Sequence, residues 1–208
     1  LQIVCGAPNA RVGLRAPVAL VGAMLPGDFS IKASKLRGVE SEGMLCAEAE
    51  LGLSESSDGL MELSTDAPIG ESLRRYLNLD DHSIEIGLTP NRSDCLSALG
   101  IAREISVLTG IAQSDIPSAS IAENSDAEIG VVVNASSQCP VYAARVVEGL
   151  DNTRPTPVWM TERLRRSGIR CKDPLVDVTN YVMLELGQPM HAFDADKVVG
   201  AITVRTAG

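Results

Sequence analysis

The feature that most constrains the fold of this chain is a series of short β-like runs within its first 81 residues. Glycine- and proline-rich turns such as Leu25-Pro26-Gly27-Asp28 separate these runs. Regularly spaced short strands with such turns favour a small β-barrel. The predicted strands are residues 2–5, 17–21, 43–47 and 60–63, and short helices are predicted over residues 48–53 and 70–77. Because a closed barrel needs about five strands, we expect an incomplete barrel here.

Residues 82–128 combine one predicted strand with one predicted helix. Residues 83–88 alternate apolar and polar side chains, which is typical of a strand. Asp94 is a suitable N-cap for a helix over residues 95–109, which carries one apolar stripe and ends at Gly110. Residues 114–126, with Pro117, Ser118 and Ser120, read as a linker between domains.

Residues 129–208 mix strands and helices in irregular order. Strands are predicted over residues 130–133, 141–147 and 201–205, and a helix is predicted to begin at Pro157 with Thr156 as its cap. A second helix over residues 178–186 is predicted to be capped by Asp177 and stopped by Gly187. The irregular order of elements favours the α+β class for the chain as a whole.

Composition excludes several classes of protein. The chain of 208 residues is 45% hydrophobic, yet no window approaches the 18 consecutive apolar residues of a spanning helix. Its first eight residues lack the charged region and cleavage site of a secretory signal. Five cysteines are scattered without metal-ligand spacing, and only two histidines could join them, so we expect free thiols, no metal site and a cytoplasmic location.

The distribution of charge argues against non-specific binding of nucleic acid by most of the chain. The formal net charge is −9, and residues 1–81 hold 7 basic and 12 acidic side chains. Phosphate backbones attract lysine and arginine, so this part is a poor non-specific binder. The basic side chains concentrate at Arg163, Arg165, Arg166, Arg170 and Lys172. This cluster either contacts RNA or forms a solvated helix end.

The sequence offers few candidate catalytic groups. It contains no phosphate-binding loop, dinucleotide fingerprint or hydrolase elbow. His191 lies in a predicted loop after a helix, and Thr179 and Asn180 are expected in the first turn of that helix. Together they offer imidazole, hydroxyl and amide groups to a polar or anionic substrate. The alternative is a histidine whose hydrogen bonds serve the structure alone.

A second candidate site surrounds residues 41–44. Gly43 would allow the close approach of a backbone, which belongs either to a ligand or to another strand.

Three stretches of sequence resemble one family. Residues 36–46, LRGVESEGMLC, resemble the signature of OB-type tRNA-binding domains, and residues 89–96, TPNRSDCL, are similar to the segment that follows this domain in the β subunit of bacterial phenylalanyl-tRNA synthetase. Residues 176–194, VDVTNYVMLELGQPMHAFD, are similar to the opening of that subunit's B3/B4 editing domain. The order and spacing of the three stretches fit the family.

The resemblance implies an N-terminal fragment with three parts. Residues 1–81 would be the C-terminal part of an OB-type domain, residues 82–128 a B1-like α+β segment with a linker, and residues 129–208 the start of the editing domain. The family joins phenylalanine to its tRNA with ATP and Mg²⁺ in an α2β2 heterotetramer, and its β subunit hydrolyses tyrosine wrongly joined to that tRNA. The resemblance implies no DNA, no membrane, and no ATP or Mg²⁺ bound by this fragment.

The resemblance also assigns residues. Thr179, Asn180 and His191 match positions lining the editing pocket, whereas the wall that senses the tyrosine hydroxyl would lie beyond Gly208. We therefore expect the fragment alone to be inactive. Candidate contacts to tRNA are Ser41, Gly43, Met44, Arg165 and Arg166. The alternatives are a non-catalytic OB-fold tRNA-binding module and a purely architectural one.

Overall fold

The computed structural model describes residues 1–117 and 119–208, which form two compact units. The units are Leu1–Asp81 and His82–Gly208. Both contain strands and helices, so the α+β class is confirmed. Among the described residues, none of the helices has the length and apolarity that crossing a bilayer requires.

The first unit is built from antiparallel strand pairs. Within residues 1–81, all of which are described, three pairs form: β1 (Val18–Leu20) with β6 (Gly43–Leu45), β2 (Met24–Leu25) with β3 (Phe29–Ser30), and β4 (Ser34–Leu36) with β5 (Val39–Ser41). The pairs are separate two-stranded sheets, and they do not close into a barrel. One helical turn, α1 (Leu73–Tyr76), follows.

Two tight turns create the hairpins of this unit. Arg37 and Gly38, both with positive φ, connect the facing residues of β4 and β5 in the geometry that matches the twist of the flanking strands. Gly27 and Asp28 also have positive φ and lie between β2 and β3. The turn at residues 25–28 was visible in the sequence, but the two-residue strands beside it were not predicted.

The core of the first unit is small. Ala19, Ile31 and Cys46 are buried. Partly buried side chains pack against them, namely Ala23, Leu25, Met44 and Leu51. Leu60, Ala67 and Leu77 of this unit are buried outside this cluster.

In this unit an asparagine side chain forms the hydrogen bonds that a neighbouring strand would otherwise form with the backbone of Leu60. The Asn9 Oδ1 accepts a hydrogen bond from the Leu60 N–H, and its Nδ2 donates to the Leu60 carbonyl, both at 2.9 Å. Arg11 forms two hydrogen bonds with the Glu62 carboxylate, at 2.7 and 2.6 Å. These bonds lower the pKa of Glu62 to about 2, with a further hydrogen bond from Asn9 contributing.

Several predictions for the first unit were wrong. Residues 2–5 form no strand, although the Gln2 carbonyl accepts a hydrogen bond from the Glu42 N–H. Residues 60–63 contribute only an isolated bridge between Arg15 and Leu63. Residues 48–53 form turns, and the helix predicted over residues 70–77 is limited to α1. A β-pattern becomes a strand only where a partner backbone lies alongside it.

Among its described residues, the second unit contains three α-helices, one strand pair and two short 3₁₀ helices, Ser93–Cys95 and Ala195–Lys197. The helices are α2 (Ala98–Thr109), α3 (Val158–Arg166) and α4 (Pro174–Leu186), and α4 packs against both of the others. The strands β7 (Gly130–Val133) and β8 (Ala201–Val204) pair in parallel, with Gly130 opposite Ala201. The predicted strand over residues 130–133 is confirmed, and the one over residues 201–205 is confirmed except for its last residue.

The helix ends of the second unit show where capping was misassigned. Ser97, not Asp94, caps α2 by accepting a hydrogen bond from the Gly100 N–H at 3.1 Å. Asp173, not Asp177, caps α4 by accepting from the Val176 N–H at 3.0 Å. In both cases the correct cap lies three or four positions from the predicted one.

Other helix and strand boundaries in this unit divide between confirmed and wrong predictions. Gly110 and Gly187 end α2 and α4 in the left-handed conformation, as predicted. Pro157 is the N-cap of α3, in place of Thr156. The strands predicted over residues 83–88 and 141–147 do not form. The described residues of the linker at 114–126 carry neither helix nor strand, and Ser118 lies outside the described residues.

Candidate functional site

A buried carboxylate anchors the start of α4, the helix that carries two predicted site residues. Asp177 is 1% exposed and accepts hydrogen bonds from the Thr156 hydroxyl and from the Lys172 N–H, the latter at 2.9 Å. The first of these bonds joins the approach to α3 to α4, and the second joins the loop between the two helices to α4. Asp177 therefore connects α3 to α4. The sequence predicted only a capping role for this residue.

Thr179 and Asn180 lie in the second turn of α4, not in its first turn as predicted. The helix begins at Pro174, so the free N–H groups of its first turn lie before these residues. The Thr179 hydroxyl donates to the Val176 carbonyl at 2.8 Å. In the described part of the chain the half-buried Asn180 side chain makes no hydrogen bond, so its amide can take a ligand.

His191 lies in the loop after α4 and is exposed. Its ring lies 6.1 Å from that of Phe193, centroid to centroid, at a tilt of 37°. Among the described residues, no hydrogen bond joins His191 to Thr179 or Asn180. The structure thus brings two of the three predicted editing residues together on one helix turn, and no direct contact connects the third to them.

The loop that leads to His191 begins against the start of another helix. A Cβ atom placed on Gly187 would lie 3.0 Å from the Ser97 Oγ and 3.3 Å from its Cβ. The N-cap of α2 and the C-cap of α4 are therefore in contact. This contact fixes where the chain leaves α4 on its way to His191.

An ion-pair network that was not predicted from the sequence holds the segment before α2. Arg92 pairs with Glu104 at 2.6 Å and with Asp94 at 3.0 Å. Hydrogen bonds from Arg92 lower the pKa of both carboxyl groups. Asp94, the predicted cap, is therefore occupied by its neighbour Arg92. No periodic pattern connects positions 92 and 104, so only the structure reveals this pair.

The two arginines predicted to contact tRNA are paired within α3. Arg165 lies 2.8 Å and Arg166 3.4 Å from the Glu162 carboxylate, which is 7% exposed. Their position in the last turn of α3 also suits the helix dipole. Contact of these two residues with tRNA stays a prediction, and the structure gives both a function inside the protein.

The predicted contact residues of the first unit also serve its structure. Ser41 is 2% exposed, and its hydroxyl accepts from the Val4 N–H and donates to the Gly43 carbonyl, both at 3.1 Å. A Cβ atom on Gly43 would lie 2.8 Å from the Ala19 carbonyl oxygen in β1. Of the two interpretations of this glycine, close approach to another strand is the one observed.

Met44, the remaining predicted contact residue, packs against the small core and borders a cleft of about 420 Å³. The cleft is lined by residues 4–8, 44, 45, 47, 50 and 57–60. Its charged side chains are the carboxylates Glu50 and Asp58. An acidic lining disfavours phosphate groups, so this cleft is a poor site for RNA.

The described residues offer no site for a metal ion or a disulfide. They contain no group of three or more histidine, cysteine, aspartate or glutamate side chains placed to hold a metal. The five cysteines are free, and burial raises the pKa of Cys46 and Cys171. Asn180 offers an amide and His191 an imidazole, and both groups can donate and accept hydrogen bonds.

Comparison with known proteins connects this geometry to a family. Residues 1–72 match the family described as "Putative tRNA binding domain", and residues 138–208 match the "B3/4 domain".

Curated relatives match the chain along its whole length. A phenylalanine–tRNA ligase β subunit of Pseudomonas putida is 58% identical over 208 residues, covering 99% of this chain and 26% of the relative. Phenylalanine–tRNA ligase β subunits of Idiomarina loihiensis and Pectobacterium atrosepticum are 58% and 56% identical over 207 residues, again covering 26% of each relative. The chain thus spans about a quarter of the length of these relatives. With more than half of its residues identical over its whole length, the chain belongs to the family of bacterial phenylalanine–tRNA ligase β subunits.

Proposed function

We propose that this chain supplies one side of a hydrolytic site that removes tyrosine from phenylalanine tRNA. The observation that carries the proposal is the half-buried Asn180 amide on α4, which makes no hydrogen bond within the described residues and lies in a segment that matches the B3/4 domain. Asp177 and Gly187 fix the two ends of that helix. An exposed histidine follows on the adjoining loop.

Such a site answers a selectivity problem. A pocket shaped for phenylalanine cannot strongly reject a side chain that only adds a hydroxyl, so a second, hydrolytic selection is needed. That selection must hydrogen-bond the hydroxyl and leave its own polar groups unpaired when phenylalanine enters.

In this proposal the residues of the chain position substrate and water. The Asn180 amide and the His191 imidazole orient the aminoacyl ester and the attacking water, while the Thr179 hydroxyl holds its helix turn through Val176. No serine or cysteine nucleophile lies paired with His191 among the described residues, so a covalent intermediate is not part of the mechanism.

The remaining family properties complete the proposal. The assembled ligase joins phenylalanine to its tRNA with ATP and Mg²⁺ in the cytoplasm, as an α2β2 heterotetramer, and none of the residues of this chain is assigned to ATP or Mg²⁺. Within this chain, the three parts are residues 1–81, 82–128 and 129–208. The first is part of an OB-type barrel, which is supported by antiparallel pairs around one small core.

The test is hydrolysis of Tyr-tRNA by the assembled ligase carrying His191→Ala or Asn180→Ala. We expect each variant to lose tenfold or more of the hydrolysis rate, while phenylalanine joining is unchanged. Gln188→Ala, on the same exposed loop, is the matched control and should retain normal hydrolysis. Undiminished hydrolysis in both site variants would remove these residues from the site.

A second function, architectural support, is favoured for residues 1–81 by the structural use of Ser41 and Gly43. Filter binding of tRNA to the chain at low and high salt separates the two cases, because phosphate contacts weaken steeply with salt. Ser41→Ala should leave tRNA affinity unchanged if this unit acts as a scaffold. A matching loss of affinity without loss of folding would restore Ser41 as a contact residue.

A further inference from the structure

The residue that ends α4 has almost no free space on the side that faces the start of α2. Gly187 has φ of 74° and ends α4 in the left-handed conformation. A Cβ atom placed on it would lie 3.0 Å from the Ser97 Oγ and 3.3 Å from the Ser97 Cβ. Both residues belong to the second unit, so both sides of the contact lie within this chain. Ser97 therefore limits where α4 can end.

Ser97 is itself held firmly in place. It is 8% exposed, and its hydroxyl accepts a hydrogen bond from the Gly100 N–H at 3.1 Å. Its carbonyl accepts another from the Ile101 N–H at 3.0 Å. A Cβ atom on Gly100 would overlap the Asp94 carbonyl oxygen, so the first turn of α2 packs directly on the 3₁₀ helix Ser93–Cys95. Ser97 therefore cannot move away when the end of α4 needs more room.

The path from this contact to His191 is short and stiff. Three residues separate Gly187 from His191, so their Cα atoms lie at most about 14 Å apart. One of the three, Pro189, has a fixed φ and restricts the residue before it to extended conformations. Residues 187–191 are exposed, so few other contacts set their position. A displacement at Gly187 is therefore carried into the position of His191.

We propose that Ser97 is a positioning residue for the hydrolysis of Tyr-tRNA, acting through Gly187 on the loop that carries His191. The inference rests on the proposed function, because it requires His191 to act in that hydrolysis. It goes beyond that function, because Ser97 lies between the two family matches, which cover residues 1–72 and 138–208. A misplacement of about 1 Å in a reacting group can cost about a hundredfold in rate.

The contact can be tested by moving atoms from one of its sides to the other. Gly187→Asn adds a Cβ in a backbone conformation that asparagine tolerates, so crowding against Ser97 is the main change. Ser97→Gly removes both crowded atoms, and glycine retains much of the value of serine as an N-cap. The double variant places the new side chain in the space that the serine leaves.

The readout is hydrolysis of Tyr-tRNA by the assembled ligase. Gly187→Asn should lower kcat by about tenfold or more, and Ser97→Gly by about fourfold, because the loop is displaced in one and loosened in the other. The double variant should return to within about twofold of the unmodified ligase. KM should change less than kcat, because neither residue is placed against the substrate. A contact that served only stability would instead give losses that add.

A matched control separates loop position from strain at a helix end. Gly110→Asn makes the same change at the end of α2, where φ is 72° and no atom lies within 4 Å of the added Cβ. It should keep hydrolysis within about twofold of normal. Phenylalanine joining should be unchanged in every variant.

The position of the loop can also be followed without hydrolysis. The chain has two histidines, so the imidazole NMR signal that disappears in His191→Ala is the signal of His191. In the 208-residue chain this signal should shift in Gly187→Asn and return in the double variant.

Two results would overturn the proposal and leave the proposed function intact, provided that His191→Ala abolishes hydrolysis. The first is normal hydrolysis in Gly187→Asn or, where that variant does not fold, in Ser97→Gly. The second is a double variant whose loss is the sum of the single losses. Undiminished hydrolysis in His191→Ala would overturn the proposed function and this inference together.

Discussion

The two sides of the candidate editing site are held in very different ways. Helix α4 is fixed at its start by Asp173 and Asp177 and at its end by Gly187 against Ser97. The loop after it presents His191 to solvent, and the His191 ring lies beside that of its near neighbour Phe193.

The three candidate site residues are therefore positioned in two ways, by a packed helix and by an exposed loop. Internal contacts set the place of Thr179 and Asn180 to within a helix turn. His191 lies on a short exposed loop. Ordering this loop costs conformational entropy, and the loop makes few contacts that would offset that cost. In the proposed site the helix side is therefore preorganised, whereas the histidine side still has to be ordered.

The largest effect expected is the loss of the buried carboxylate. Asp177→Ala removes the acceptor of two hydrogen bonds and leaves the Lys172 N–H without its partner, which should lower the free energy of unfolding by about 3 kcal/mol. Urea denaturation followed by Trp159 fluorescence measures this. Asp177→Asn, which retains an acceptor oxygen, should lose clearly less. Equal losses in the two variants would show that the hydrogen bonds are not the cause.

Gly187→Ala should have the next largest effect. Gly187 has φ of 74°, where a Cβ costs about 1–2 kcal/mol, and that Cβ would also crowd Ser97. Gly110→Ala is the matched control, because its φ is 72° and no atom lies within 4 Å of the added Cβ. The measured difference between the two variants gives the contribution of the contact with Ser97. No difference would mean that the two helix ends are not coupled.

A pH effect should follow from the Arg92 network. The pKa values of Glu104 and Asp94 are lowered in the folded state, so their stabilisation is present above the unfolded values near 4 and is lost as pH falls through the folded values. The urea midpoint of the second unit should therefore drop as the pH falls below about 5. In Arg92→Gln this drop should be smaller. An identical drop would place the acid sensitivity in other carboxylates.

The smallest effect on stability is expected in the loop. His191→Ala should change the free energy of unfolding by less than about 0.5 kcal/mol, because the side chain is exposed. The same urea denaturation tests this. A loss of 1 kcal/mol or more would show that the loop is packed as firmly as α4, and the contrast between the two sides would disappear.

Local signals in the sequence were sufficient for some elements and not for others. Gly110 and Gly187 were recognised as helix ends because a left-handed residue after an apolar stripe is a local requirement. The caps Ser97 and Asp173 were missed because a nearby aspartate, Asp94 or Asp177, met the same local rule. Only the rest of the fold decides between two such candidates.

Long-range contacts could not be predicted from the local sequence pattern. Residues 141–147 alternate correctly for a strand, yet no strand forms there, since alternation does not supply a partner backbone. Thr179, Asn180 and His191 were selected from their side-chain chemistry and then from the family resemblance. The contacts of Asp177 with Thr156 and of Arg92 with Glu104 join positions with no periodic relation. Those contacts place α4 and the segment before α2.

The parallel pairing of β7 and β8 bears on how the chain is made. The two strands are about 70 residues apart in sequence, and both α3 and α4 lie between them. During synthesis β7, a glycine followed by three valines, emerges long before its partner. In that interval its backbone groups and valine side chains form an open edge, which is a hazard for association with other nascent chains. The edge of β7 is therefore covered only after the whole segment up to β8 has been synthesised.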